Sequence, residues 1–200
     1  MELINSWSGN NTTQDSVGSC NLTWEGTPDY LSGGFKLNAS NNKSLNGLIF
    51  PNFVLSAGTP FSFSGQMLAS HNECFSQIST LYDKKENGIA FRFDFMEGLF
   101  SVFTNGIYTG HQHYYFAQSP GDLNWEYPTS FNNWHTWKLS YFGGINWELI
   151  INDYNVPLLA TYNNFSTFNG TANADPLKMY NNGEFGGDTY VLMKDIQFYK

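Results

Sequence analysis

The stretch Gly88-Ile89-Ala90-Phe91-Arg92-Phe93-Asp94-Phe95 alternates large apolar residues with small or charged ones. Successive side chains of an extended strand leave on opposite faces, so Ile89, Phe91, Phe93 and Phe95 share one face and Ala90, Arg92 and Asp94 the other. A strand with one buried and one wet face is predicted. Leu99 to Thr104 follows after a tight reversal at Glu97-Gly98, which makes a hairpin, and Asn105-Gly106 is the next turn signal. The same period of two recurs in Phe61-Ser62-Phe63-Ser64-Gly65-Gln66-Met67-Leu68. Trp137 to Tyr141 and Asn146 to Asn152 flank Gly143-Gly144 as a second hairpin, and Tyr190 to Met193 with Asp195 to Tyr199 reads as a final strand. No segment carries a helical stripe over three turns, and Gly or Asn punctuates nearly every dozen residues. This pattern predicts an all-β chain folded as a two-sheet antiparallel β-sandwich, one domain spanning residues 1–200.

Composition narrows the function classes. Of 200 residues, 36 are aromatic but only 13% are charged, about half the usual share, so the chain can bury a core and is not intrinsically disordered. Nine Lys and Arg stand against seventeen Asp and Glu, a formal charge of −8, with no basic cluster. Binding a phosphate backbone needs such a cluster, so no nucleic-acid partner is expected. No run of about 18 apolar residues exists to form a membrane span. The polar surface is instead Asn, Ser, Thr and Gly, with 24 Asn and seven Asn-x-Ser/Thr sites at Asn10, Asn11, Asn21, Asn38, Asn42, Asn164 and Asn169. About four such sites arise by chance at this composition, and each needs an accessible loop to be glycosylated.

Cys20 and Cys74 are the only thiols and have no zinc-ligand spacing. Extracellular-looking composition and an even cysteine count lead to the expectation of a Cys20–Cys74 disulfide, the alternative being two buried thiols. Met1 to Asn10 shows no basic region followed by an apolar run, so no signal peptide is visible; an extracellular or cell-surface setting is expected on composition.

Four stretches occur in the order found in concanavalin A-like jelly rolls, and resemble their laminin-G-like modules over about residues 30–200. Gly33-Gly34-Phe35-Lys36-Leu37-Asn38-Ala39-Ser40 resembles an early strand, and Pro60-Phe61-Ser62-Phe63-Ser64 the strand after it. Asn133-Trp134-His135-Thr136-Trp137 through Asn152 is similar to the Trp-His hairpin of that family, and Lys194-Asp195-Ile196-Gln197-Phe198-Tyr199 to its terminal strand. The resemblance implies a jelly-roll sandwich and a glycan or glycoprotein partner.

The superfamily includes family 16 glycoside hydrolases, whose catalytic strand reads Glu-x-Asp-x-x-Glu. Arg92-Phe93-Asp94-Phe95-Met96-Glu97 matches its second and third positions at Asp94 and Glu97, but Arg92 stands where the nucleophile belongs. A retaining glycosidase needs two carboxyl groups about 5–5.5 Å apart, and a guanidinium is always protonated and cannot attack an anomeric carbon. The match implies a glycan-shaped cleft without hydrolysis, or a strand with two solvent-facing charges. A polysaccharide lyase, with His111, His113, Tyr115 and Arg92 as its set, is the other enzymatic alternative, and the acidic balance disfavours its polyanionic substrates.

His111 and His113 are spaced to share a strand face, as two imidazoles on one metal must be, but no third ligand is near in sequence. Contact to a sugar, with Tyr115 on the same face, is the alternative to an ordinary surface strand. Between Tyr108 and Trp134 aromatic rings with polar handles mix with amides and carboxylates, which suits a half-wet sugar site. Trp125 and Tyr127 lie outside the strand patterns and are the preferred platform, whereas Trp134, Trp137 and Trp147 sit in strand patterns and are assigned to the core. The resemblance implies calcium as the candidate ion: Asp195 matches a terminal-strand aspartate that holds it in the hydrolase branch, and Asp188 lies in the preceding Gly-Gly-Asp turn.

The reading is a non-catalytic carbohydrate-binding or adhesion module, its ligand met by Arg92, Asp94, His111, His113, Tyr115, Trp125 and Tyr127. A hydrolase or lyase on the same scaffold, using Asp94 and Glu97, is the first alternative. A structural surface or virion protein is the second.

Overall fold

In this computed structural model the described residues are 1–41, 43–51, 55–56, 58–70, 133–156, 177–181 and 188–200, with strands 89–94, 99–104 and 107–113 described by backbone and register. No helix occurs among them. The strands are β1 (Leu3–Trp7), β2 (Thr23–Gly26), β3 (Tyr30–Leu31), β4 (Gly34–Ser40), β5 (Lys43–Ser44), β6 (Asn46–Phe50), β7 (Phe61–Ala69) and β8 (Ile89–Asp94). They continue as β9 (Leu99–Thr104), β10 (Ile107–His113), β11 (His135–Gly143), β12 (Asn146–Ile151), β13 (Tyr154–Val156), β14 (Leu177–Tyr180) and β15 (Thr189–Tyr199).

Every pairing is antiparallel. The large sheet runs β13-β12-β11-β7-β15-β4-β3, with β1 on β15 and β5 on β4; β14-β6-β2 and β10-β9-β8 form two smaller sheets. The expected all-β sandwich is the observed class, with hydrogen bonding dividing the described strands into one large and two small sheets. The core-facing residues of the large sheet are those that alternation predicts: Phe61, Phe63 and Met67 of β7, Trp137, Leu139 and Tyr141 of β11, and Val191, Met193, Ile196 and Phe198 of β15 are all buried. Leu48 and Phe50 of β6 and Leu177 and Met179 of β14 join the same core. Ring contacts bind the layers, with Phe50 edge-on to Trp7 at 5.2 Å and to Phe63 at 6.4 Å, and Phe63 against Phe198 at 4.8 Å. Gly65 gives β7 a close approach to β11, since a Cβ there would lie 3.2 Å from the Trp137 ring, which would have to shift by a few tenths of an ångström.

Ladder irregularities occur at Leu3/Asn5, Tyr108/Gly110, Tyr141/Gly143 and Lys194/Gln197, and the last two bear most on the large sheet. The Gly143-Gly144 turn of the β11–β12 hairpin has φ of 102° and 60°, values that glycine adopts without steric cost. In β15 the ladder slips between Lys194 and Gln197, where Asp195 takes φ 51°. Asp tolerates this left-handed conformation better than most residues. At this bulge β15 changes neighbour: residues 189–193 pair with β4, and residues 196–199 with β1.

The segment between β1 and β2 is tied down by one carboxylate. Asp15 Oδ1 accepts from the backbone amides of Ser6 (2.9 Å), Val17 (3.1 Å) and Gly18 (2.9 Å). Its Oδ2 accepts from the Cys20 amide (3.0 Å) and the Asn5 side-chain amide (2.5 Å). Burial alone pushes the Asp15 carboxyl up, but the bonds from Ser6, Asn5, Gly18 and Val17 outweigh it and hold the group below its ordinary range.

The expected Cys20–Cys74 bridge is not supported. Cys20 is a free, half-buried thiol whose Sγ donates to the Pro51 carbonyl at 3.4 Å, and Cys74 lies outside the described residues. Trp137 is in the core and Trp147 packs against it, as expected. Trp134 is not a core residue: it is half-buried at the surface, with the Lys194 ammonium 4.1 Å from its ring centroid.

Candidate functional site

A pocket of about 720 Å³ opens where the Thr27-Pro28-Asp29 turn meets the outer residues of β4 and the start of β15. This volume lies within the range of small-ligand sites. Lys36 and Asn38 stand on the outward face of β4 because Phe35, Leu37 and Ala39 take the core face. Their polar ends converge on Asp29: Lys36 Nζ lies 3.2 Å from Oδ2, and Asn38 Nδ2 donates to the same oxygen at 2.9 Å. Burial raises the Asp29 carboxyl's pKa, but the Asn38 and Lys36 bonds, the Lys36 charge and the Tyr30 amide together lower it, so Asp29 is an anion at neutral pH. Behind them Asn46, only 5% exposed, locks the backbone: its Oδ1 accepts from the Asn38 amide at 2.7 Å and its Nδ2 donates to the Thr27 and Lys36 carbonyls at 3.0 Å. Tyr190, paired with Asn38 across the β4–β15 ladder, supplies the ring, and Lys36 Nζ lies 5.1 Å from its centroid. Asp188 and Thr189 complete the wall. Fixed amide, carboxylate and ammonium groups thus sit beside an aromatic ring, an arrangement suited to a polyhydroxylated ligand.

A shallower groove of about 330 Å³ crosses the outer residues of β7, β11 and β15, where Gln66 Nε2 donates to Asp195 Oδ2 at 2.9 Å. Asp188 and Asp195 do not share a site. They stand seven residues apart along an extended strand, a separation on the order of 20 Å, and they line different cavities. Among the residues whose side chains are described, no group of three His, Cys, Asp or Glu is arranged to hold a metal.

The sequence-expected ligand residues divide by position. Arg92 and Asp94 fall on β8, and His111 and His113 on β10. Across the intervening β9, Arg92 and His111 both pair with Ser101, and Asp94 and His113 both pair with Leu99, so the register brings all four to one sheet face. Glu97, Tyr115, Trp125 and Tyr127 lie outside the described residues, as do the glycosylation sites Asn42, Asn164 and Asn169. Asn10, Asn11 and Asn21 are exposed. Asn38 is a poor glycosylation site, because it lies inside β4 with Nδ2 engaged by Asp29 and the Lys36 carbonyl.

Sequence reading missed Asp29, Lys36 and Tyr190. Lys36 and Tyr190 each lie opposite a core residue in a strand pattern, so their outward position was readable. Their convergence was not, because it depends on β4 pairing with a strand some 150 residues later.

No protein-family model matches this chain, and no curated protein matches it in sequence. Solved structures match it in fold. One is the binding domain of botulinum neurotoxin DC in complex with rat synaptotagmin II, at 15% identity over 99% of this chain and 48% of that one, TM-score 0.62. Another is a botulinum neurotoxin type C structure concerned with cell entry through two ganglioside molecules, at 16% identity over 99% and 47%, TM-score 0.67. A third is the botulinum neurotoxin DC binding domain in complex with SialylT, at 13% identity over 99% and 48%, TM-score 0.63. The chain spans about half the length of these structures. These comparisons leave the expected likeness to family 16 glycoside hydrolases without support and do not confirm the concanavalin A-like jelly roll. At this level of identity the likeness shows the fold: the chain is a β-sandwich similar to about half of a neurotoxin binding domain.

Proposed function

We propose that the chain is a non-catalytic carbohydrate-binding or adhesion module of concanavalin A-like type, acting in an extracellular or cell-surface setting and taking a neutral, hydroxyl-rich glycan in the Asp29–Lys36–Asn38–Tyr190 pocket. The observation that carries this reading is the pre-organised polar network beside the Tyr190 ring. Groups already held in place lose little freedom when a ligand arrives. A neutral ligand fits better than a polyanion, because Asp29 and Asp188 face a single Lys36 in a chain of formal charge −8. Neurotoxin domains of similar fold have been described with gangliosides, SialylT and a protein, synaptotagmin II, which supports a recognition role and leaves the ligand class to experiment.

The test is a glycan array with and without calcium, on wild type, Tyr190→Ala and Asp29→Asn, each checked for folding by circular dichroism. Binding to one neutral glycan class, weakened about tenfold in both variants with the sugar uncleaved, is the expected result; tenfold corresponds to about 1.4 kcal/mol. Silence across the array, or undiminished binding by both folded variants, overturns the proposal.

A further inference from the structure

We infer that the Asp29–Lys36–Asn38–Tyr190 pocket selects its ligand by hydrogen-bond donors: it takes a sugar edge whose adjacent hydroxyls are unsubstituted and donate, and it refuses ligands that offer only acceptors there. This rests on the reading of the pocket as a glycan site and narrows it to a class of sugar.

The donors of the pocket are already committed to its frame. The backbone amide of Lys36 donates to the Asp29 carbonyl at 2.9 Å, that of Asn38 to Asn46 Oδ1 at 2.7 Å, and that of Tyr190 to Ser70 Oγ at 3.0 Å. Pro28, in the same wall, has no amide proton to give. Asn46 Nδ2 donates to the Thr27 and Lys36 carbonyls. Asn38 Nδ2 donates to Asp29 Oδ2 at 2.9 Å and to the Lys36 carbonyl at 3.4 Å. A carboxylate and a carbonyl only accept, so these partners also fix which end of the Asn38 amide is nitrogen.

Acceptors are what remain. Asn38 keeps its Oδ1. Asp29 has about four lone-pair sites and accepts from Lys36, Asn38 and the Tyr30 amide, which leaves about one. Asp188, an exposed carboxylate on the wall, brings about four more. Against these stand the Lys36 ammonium, which already faces Asp29 at 3.2 Å, and the hydroxyls of Thr27 and Tyr190, which can give or take.

A sugar hydroxyl that donates to a carboxylate makes a charge-assisted bond, one of the stronger kinds. An ether, ester or carboxylate at the same edge sets acceptor against acceptor and leaves both sides unpaired. Lys36 does not reverse this, because its charge is shared with Asp29 and lies 5.1 Å from the Tyr190 ring centroid. Sites built to bond a ligand hydroxyl discriminate against analogues that lack it.

The experiment is NMR titration of the isotope-labelled full chain with the methyl glycosides of glucose, galactose and mannose. The parent that binds best is followed by its mono-O-methyl and monodeoxyfluoro derivatives, and by N-acetylneuraminic acid. A methyl ether keeps the acceptor oxygen and removes the donor. At two adjacent positions methylation and fluorination should each weaken binding about tenfold, and N-acetylneuraminic acid should bind at least about tenfold more weakly than the parent. In folded Asp188→Asn or Asp29→Asn, whose amide brings a donor of its own, the penalty for methylation should shrink to about threefold or less at one of these positions. Absence of binding by every parent glycoside overturns the glycan reading and this inference with it. A bound parent whose affinity survives methylation at every hydroxyl, or is matched by N-acetylneuraminic acid, overturns the inference alone, as does an undiminished penalty in both folded variants.

Discussion

Asp15→Asn alters the end of one side chain and should destabilise the fold by about 3 kcal/mol. The carboxylate accepts five hydrogen bonds, from the amides of Ser6, Val17, Gly18 and Cys20 and from the side chain of Asn5. Asparagine can keep one oxygen toward Ser6, Val17 and Gly18, but its amide nitrogen then opposes the Cys20 and Asn5 donors. Asn5 is 6% exposed and cannot turn to water. Two lost bonds cost about 1 kcal/mol each, and weakening three charge-assisted bonds to neutral ones adds about 1 kcal/mol in total. The assay is urea unfolding at pH 7, with the loss taken from the midpoint at unchanged m-value. Because the folded Asp15 carboxyl lies below its ordinary range, its stabilisation is complete above the unfolded value of about 3.9 and is lost as pH falls through the folded value. The gap between wild type and Asp15→Asn should therefore be full at pH 6–7 and narrow below about pH 4. A loss under about 0.5 kcal/mol at pH 7, or a gap unchanged at pH 3, would refute the reasoning.

Phe63→Ala should cost about 3–5 kcal/mol, since the ring touches Phe50, Phe61 and Phe198 in a site 1% exposed; thermal and urea unfolding check this. Ser62 and Ser140 share a buried 2.8 Å hydroxyl bond, so the double alanine variant should lose less stability than the two single losses added, as a double-mutant cycle measures. Burial, then the Asp15 charge, raises the Cys20 pKa, so the native thiol should react with Ellman's reagent more slowly at pH 8 than in urea. Dithiothreitol should leave the melting temperature unchanged, and a drop of several degrees would restore the Cys20–Cys74 bridge.

Strands whose two faces differ in polarity were legible. Phe61 to Leu68, Ile89 to Asp94, the two sides of the Gly143-Gly144 turn and Tyr190 to Tyr199 all lie where alternation puts them. The small sheet of β2, β6 and β14 escaped notice, because its strands have four or five residues and Asn46-Gly47-Leu48-Ile49-Phe50 is mostly buried without alternating. Trp134 misled because a tryptophan at the end of a strand pattern can close the core or cover the surface, and here Lys194 lies on its ring. The expected ligand set grouped His111 and His113 with Arg92 and Asp94, but spacing alone gives only the two histidines a common face, not the sharing of that face with Arg92 and Asp94. That depends on the bulge between Tyr108 and Gly110, for which no local residue choice is diagnostic. The pocket was hidden for a related reason: its residues between Thr27 and Asn46 are completed by the distant segment Asp188 to Tyr190.

The exchange of neighbours along β15 has a consequence for how the chain is made. This strand lies in the middle of the large sheet, between β7 on one side and β4 and β1 on the other, and β1 has no other ladder partner among the described strands. Gln66 and Asp195, which meet there, are 129 residues apart. During vectorial synthesis β1, β4 and β7 leave the ribosome long before the strand that joins them. Until residues 189–199 emerge, their edges and the Phe61–Phe63 face stay open to wrong partners. The sheet closes from its centre and late, so premature termination or slowed translation ahead of Thr189 should yield aggregation-prone chains rather than a smaller folded sandwich.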